Sequence, residues 1–155
     1  MKQVDFYLIK NSVKQARYKL ASRLASKLQK MDKSLLLVTN STSEVSELDE
    51  LMWAYSDTSF VAHEVITKAE LETESSLELA CNTHIVEQQL VTTAILERHY
   101  DVLVNLCNDV PMFNHHFTRI AEVIDSDEDA KIAGRNRYKH YKSEGFELQM
   151  HDISL

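Results

Sequence analysis

Glycine is almost missing from this chain. Of 155 residues only Gly134 and Gly145 are glycine, and both fall in the C-terminal segment. The turn after the first apolar run reads KNSVKQ (10–15), so no bare backbone is available there to approach a pyrophosphate. That absence argues against a nucleotide-dependent enzyme. Proline occurs once, at Pro111, and no repeat, low-complexity tract or linker interrupts the chain, so residues 1–155 read as a single domain. The two cysteines, Cys81 and Cys107, sit in apolar surroundings (LELAC, LVNLC). Buried free thiols are therefore expected rather than a disulfide, which suits a reducing cytoplasm. No run approaches the ~18 apolar residues that a membrane helix needs. The N-terminus, MKQVDFYLIK, is too short and too polar for a secretory signal.

Catalytic patterns are also wanting. Seven histidines invite a metal, but there is neither HExxH nor a paired CxxC. His115 and His116 are adjacent, hence about 100° apart on a helix and badly placed to share one ion; one is expected half-buried and the other exposed. Neither cysteine stands at a recognisable helix N-terminus beside a base, which disfavours a thiol nucleophile. The carboxylates are plentiful but unpaired. No catalytic, cofactor or metal constellation emerges, and the chain reads as a binding protein on an enzyme-like scaffold.

Charge is unevenly distributed. Residues 1–33 carry a net +7, residues 34–130 a net −16 and residues 131–155 a net +2, for −7 overall. An acidic middle is a poor track for nucleic-acid phosphate, which needs many convergent cations. A direct single-strand nucleic-acid binder using both basic ends is the alternative function. The net charge and the lack of an aromatic platform count against it.

Hydrophobic periodicity outlines the elements. VDFYLI (4–9) and SLLLVT (34–39) read as buried strands. SFVAHEVI (59–66), SLELA (76–80), DVLVNL (101–106) and RIAEVI (119–124) read as further strands. Residues 13–31 place Val13, Ala16, Leu20, Leu24, Leu28 and Met31 on one helical face. Ser41 and Glu44 have capping-box spacing ahead of a helix with Val45, Leu48, Met52 and Tyr55 on a stripe. Residues 85–98 look helical with weak phase, and MFNHHF (112–117) makes a short helix. Aliphatic strands alternating with helices indicate an α/β domain with a mainly parallel sheet.

The last helix opens in DSDED, with Ser126 and Asp129 as its capping pair, and Gly145 is placed to end it. Lys131, Arg135, Tyr138, Lys139 and Lys142 share one face. Bases late in a helix complement its dipole, which accounts for Lys139 and Lys142 but less well for Lys131. Guanidinium offers paired donors to a carboxylate, and tyrosine offers a flat wall beside an apolar pocket. The ligand that fits is a short acidic segment with a hydrophobic anchor. Beyond Gly145, the alternation of Phe146, Leu148 and Met150 packs the chain back onto the body.

Four stretches together carry a resemblance: FYLI (6–9), LDELMWAYSDTSFVAHE (48–64), DVLVNLCNDVPMFNHHFTRIAEVID (101–125) and GRNRYKHYKSEGFEL (134–148). In this order they are similar to the chi subunit of the bacterial DNA polymerase III holoenzyme. The resemblance implies a non-catalytic clamp-loader accessory subunit with a Rossmann-like three-layer fold and no phosphate-binding loop. It implies two partners: the psi subunit, and the acidic, phenylalanine-ended C-terminal tail of the single-stranded DNA-binding protein. A helicase-type partner competing for the psi surface is permitted, DNA is met only indirectly, and the location is the bacterial cytoplasm at the replisome.

By position, Lys131, Arg135, Tyr138 and Lys139 match the family's tail-binding helix, with Arg135 meeting the terminal carboxylate and Ile124 flooring the phenylalanine pocket. Trp53 and Phe60 match the psi-binding region, although a Trp on an apolar helix stripe and a Phe in a strand are more usually core. Three departures stand out. Ala62 replaces a frequent proline, which bears on the psi surface. Gly134 sits inside a helix at about 1 kcal/mol relative to alanine, a loosening that is expected to leave the tail-binding residues untouched. Residues 81–100 exceed the usual connection, and an extra helix is expected there.

Overall fold

The computed structural model describes residues 2–54, 61–72 and 79–155. Seven strands form one all-parallel sheet: β1 (Gln3–Ile9), β2 (Leu35–Thr39), β3 (Glu64–Val65), β4 (Thr83–Glu87), β5 (Val102–Asn105), β6 (Arg119–Ile124) and β7 (Glu147–Ile153). Their order across the sheet is β3-β4-β2-β5-β6-β1-β7. Helices α1 (Ala16–Lys30), α2 (Thr42–Ala54), α3 (Lys68–Leu71), α4 (Thr93–Leu96) and α5 (Glu128–Ser143) connect them.

The central strands explain the three layers. All five residues of β2 are buried, because a parallel strand inside such a sheet is covered on both faces. Leu35 and Leu37 join the core beneath α1 and α2, with Leu20, Leu24, Val45, Leu48 and Met52. Leu36 and Val38 point the other way, into a second core with Phe6, Ile95, Ile124, Tyr141 and Phe146 beneath α4 and α5. This is a Rossmann-like α/β architecture. In the first strand-to-helix turn, the Asn11 side chain bonds the backbone N–H and C=O of Leu155 at 2.8 and 2.7 Å. That turn fastens Leu155.

Several expectations need correction. The fourth strand is Thr83–Glu87 and not SLELA; of that stretch, Leu79 and Ala80 are not in a strand and the rest lies outside the described residues. The helix expected over 85–98 and the extra helix expected within 81–100 are mostly other things. Ile85–Glu87 belong to β4, a 3₁₀ turn follows at Gln88–Leu90, and only the single turn of α4 is α-helical. His84, Ile85 and Val86 are all buried, and a two-sided strand shows neither period cleanly. Within the described part of SFVAHEVI only Glu64 and Val65 pair in the sheet. Helix α1 starts three residues after Val13, and Met31 lies past its end, 56% exposed. His115 and His116 are both exposed. The tail after Gly145 is a full edge strand, β7, in register with β1 from Gln3↔Glu147 to Ile9↔Ile153.

Candidate functional site: a basic pocket beside the last helix

The chain leaves β1 for α1 on one face of the sheet and leaves the neighbouring β6 for α5 on the other. This is the switch point where open α/β sheets form a crevice beyond the carboxyl ends of their strands. A cavity of about 760 Å³ lies there, against α5. Ile124, Lys131, Arg135, Tyr138 and Lys139 all line it, as does Lys142. The five residues singled out from sequence are thus brought together. Lys131, Arg135, Lys139 and Lys142 are exposed at the rim, Tyr138 is half-buried and Ile124 is buried.

Phe6, Leu8 and Ile9 of β1 complete the apolar floor, and Lys10 and Met150 extend the wall. Sequence reading missed these. The signal was the position of Lys10 at the carboxyl end of β1, the same end of the sheet from which Ile124 leads into α5. Lys10 is held by Asp152 at 3.3 Å. Tyr138 leans on Phe6 with ring centroids 5.5 Å apart. Lys131 reaches Glu128 at 3.7 Å on the exposed helix surface, a pair worth well under ~1 kcal/mol and easily exchanged. Asp125 is an acid in the lining.

Local sequence sets the helix in place. Its N-cap is Asp127, not Ser126: the Asp127 carboxylate accepts the Ala130 N–H at 3.1 Å. At the other end Gly145 takes φ 86°, the Phe146 N–H reaches the Tyr141 carbonyl at 3.1 Å and the Gly145 N–H that of Lys142 at 3.2 Å. That is a Schellman ending, closed by Tyr141 and Phe146 rings 5.3 Å apart. Gly134 faces inward. A Cβ built on it stands 2.4 Å from Ile124 Cδ1 and 2.9 Å from Cγ1. Glycine here lets Ile124 lie against the helix backbone, so Gly134 does touch a proposed site residue, contrary to expectation.

The basic run of α5 divides between two faces. Arg137 points away from the pocket, into the protein, where its Nε donates to Glu122 Oε1 at 2.8 Å and its Nη1 to the Asn108 carbonyl at 2.9 Å. Glu122 Oε2 accepts from Asn105 and from the Tyr141 hydroxyl, each at 2.7 Å. Burial drives the Glu122 carboxyl above its usual value, against the pull of Arg137 and these donors. The sequence hint was an acid in the middle of RIAEVI.

On the opposite helical layer, Trp53 lies in α2 and is 55% exposed, so it is not core. Its Nε1 donates to Asp49 Oδ1 at 3.1 Å, and its ring lies 4.9 Å from that of His63. His63 Nε2 stands 2.7 Å from the same carboxylate oxygen. Phe60, named with Trp53 from sequence, lies outside the described residues. Among the described residues no helix is long and apolar enough to cross a membrane. Cys81 is half-buried, Cys107 is buried, and both are free.

Comparison with known proteins agrees with this architecture. The chain is 28% identical over 153 residues to the DNA polymerase III subunit chi of Pseudomonas aeruginosa, covering 99% of this chain and 98% of that one. It is 26% identical over 152 residues to the subunit of the same name from Haemophilus influenzae, with 98% of both chains covered. The Escherichia coli K12 protein of that name is 24% identical over 96% of both. The crystal structure of T4 UvsW superposes with a TM-score of 0.71 at 11% identity, covering 98% of this chain and 41% of that one, a likeness of fold alone. The family described as DNA polymerase III chi subunit, HolC, matches residues 1–149. On that match, spanning nearly the whole sequence, the chain belongs to the DNA polymerase III chi subunit family.

Proposed function

We propose that this chain is a non-catalytic replication accessory subunit that joins the polymerase III clamp-loader complex to single-stranded DNA-binding protein. It reads the acidic, phenylalanine-ended tail of that protein in the α5 pocket. Through Trp53 and Phe60, the residues matched by sequence position, it holds the psi subunit, and a helicase-type partner competes for them. One observation carries the tail reading: four exposed cations, Lys131, Arg135, Lys139 and Lys142, rim an apolar floor of Phe6, Leu8 and Ile124. A Phe side chain enters the floor, its free carboxylate meets the Arg135 fork, and preceding aspartates meet the lysines. Membership of the chi family supports the wider replication role.

Calorimetric titration with an acidic peptide ending in Pro-Phe, beside the same peptide amidated at its C-terminus, tests this. Saturable binding of the first, weakened by salt and by amidation, is the expected result. Equal binding of both removes the carboxylate from the reading, and no binding of either removes the tail.

A further inference from the structure

Three side chains of metal-ligating type converge at the sheet edge opposite the α5 pocket. Glu64 on β3 and His84 on β4 are register partners and so project to the same face. Cys81 stands three residues before His84, in the turn leading into β4 (CNTH, 81–84). One ligating atom from each of Glu64, Cys81 and His84 lies within 4.8 Å of the others, the only such group among the described residues. His84 adds an independent sign. The residue is 1% exposed, its Nδ1 is 2.6 Å from the Tyr100 hydroxyl, and its Nε2 has no hydrogen-bond partner. A buried polar atom left so carries an uncompensated desolvation cost, which a bound ligand would relieve.

We propose that Glu64, Cys81 and His84 form a binding site for a divalent transition-metal ion of the zinc type, with water in the fourth position. Thiolate, imidazole and carboxylate are the donors zinc takes, at about 2.3, 2.0–2.1 and 2.0–2.2 Å. Bonds of that length set ligand atoms roughly 3.5 Å apart, so small side-chain rotations close the set. Metal on Nε2 leaves the ring proton on Nδ1, which then donates to the Tyr100 oxygen and fixes the imidazole.

The electrostatics agree. Burial first, and then the nearby Arg98 charge, lower His84 to about 4, against the Glu64 charge and the Cys81 backbone, which raise it. Burial raises the Cys81 thiol, and the Glu64 carboxylate adds to this while Arg98 acts against it. Desolvation opposes the charge on Glu64, but bonds from the backbone of Cys81 and Ala80 outweigh it and hold that carboxyl below its usual value. A dication stabilises both anions at once. Together they neutralise it, so Arg98 faces no net positive charge. The ion fastens the two-residue strand β3 to the turn before β4.

The test uses the full chain, stripped with a chelator, equilibrated with zinc chloride, desalted and assayed for metal. Cobalt(II) is added in parallel and the thiolate-to-metal absorption band recorded. One zinc per chain and a cobalt band are expected, and Cys107→Ser leaves both in place. Cys81→Ser abolishes the band and lowers zinc affinity by about 100-fold, and Glu64→Gln, which keeps the shape, lowers it by about 10-fold. Circular dichroism verifies that each variant is folded. Wild-type protein that keeps no zinc and shows no band overturns the proposal, as does zinc retained equally by Cys81→Ser.

Discussion

Glu122 and Arg137 meet at 2.8 Å inside the protein, with side chains 0% and 6% exposed. The pair ties the middle of β6 to the inner face of α5, and the pocket is built from the adjoining face of the same helix. Removing one partner of a buried pair strands the other charge, at about 3–5 kcal/mol. Arg137→Met is therefore expected to lower unfolding free energy by about that much in urea titration. Adding Glu122→Gln is expected to recover a large part. The Gln amide oxygen still accepts from Asn105 and Tyr141 where Oε2 now does, and no stranded charge remains. A double variant no more stable than Arg137→Met would exclude stranding as the cause.

Gly134 and Ile124 set the distance between helix and sheet at the pocket floor. Alanine gains about 1 kcal/mol of helix propensity over glycine, but its Cβ meets Ile124 Cδ1 at 2.4 Å. Overpacking of that kind costs about 1–3 kcal/mol, so Gly134→Ala is expected to be mildly destabilising in spite of propensity. Ile124→Ala removes Cδ1, Cγ1 and Cγ2, all the Ile124 atoms that crowd the new Cβ, and is expected to reverse the sign, making the double variant more stable than Ile124→Ala alone. Thermal unfolding of all four proteins in the cycle measures the coupling.

How much of this was legible depends on whether a residue's role is local. The glycine stop and the one-face arrangement of Lys131, Arg135, Tyr138 and Lys139 follow from spacing along one helix and appear as read, whereas the cap of α5 falls one residue later than its spacing suggests, on Asp127. Arg137 belongs to the same basic run, yet its partner Glu122 is on another element, so no spacing rule separates it from the surface cations. A Trp on an apolar helix is usually core, yet the Trp53 ring is 55% exposed and lies against His63, a contact across elements that spacing along α2 does not display. In β4, burial on both faces erases the periodicity that would mark a strand. The convergence of Glu64, Cys81 and His84 needs the β3–β4 register, which no stretch of sequence displays.

Alkaline pH is expected to weaken the fold through groups buried in their neutral forms. Burial, followed by the charges of Glu122 and Glu44, pushes the Cys107 thiol from 9.0 up to about 12. Burial and the Glu122 carboxylate likewise raise the Tyr141 phenol. In each case the folded value exceeds the unfolded one. Above the unfolded value the unfolded chain gives up a proton that the folded protein keeps, so the contribution is full below 9.0 and is lost as pH rises. Urea midpoints are expected to fall steadily above about pH 9, by at most about 1.4 kcal/mol per pH unit for each group. Cys107→Ala is expected to flatten the earlier part of that decline. A midpoint that holds constant to about pH 11 contradicts this account.

Arg135 is the residue on which the proposed ligand chemistry depends most. It is exposed at the pocket rim, and no ion pair engages it among the described residues, so replacing it does not disturb the core. Arg135→Ala is expected to leave the unfolding midpoint within about 0.5 kcal/mol of wild type. Loss of a hydrogen bond to a charged group costs about 1.5–3 kcal/mol, which is about 10-fold to 100-fold in peptide affinity. Arg135→Lys retains charge but not the planar fork, and is expected to fall between the two. The amidated peptide supplies the internal control: having no terminal carboxylate, it should bind wild type and Arg135→Ala almost equally. If Arg135→Ala weakens both peptides by the same factor, the guanidinium acts only through general attraction to the acidic segment. The terminal carboxylate must then be held elsewhere on the rim, with Lys10 or Lys139 the next to replace.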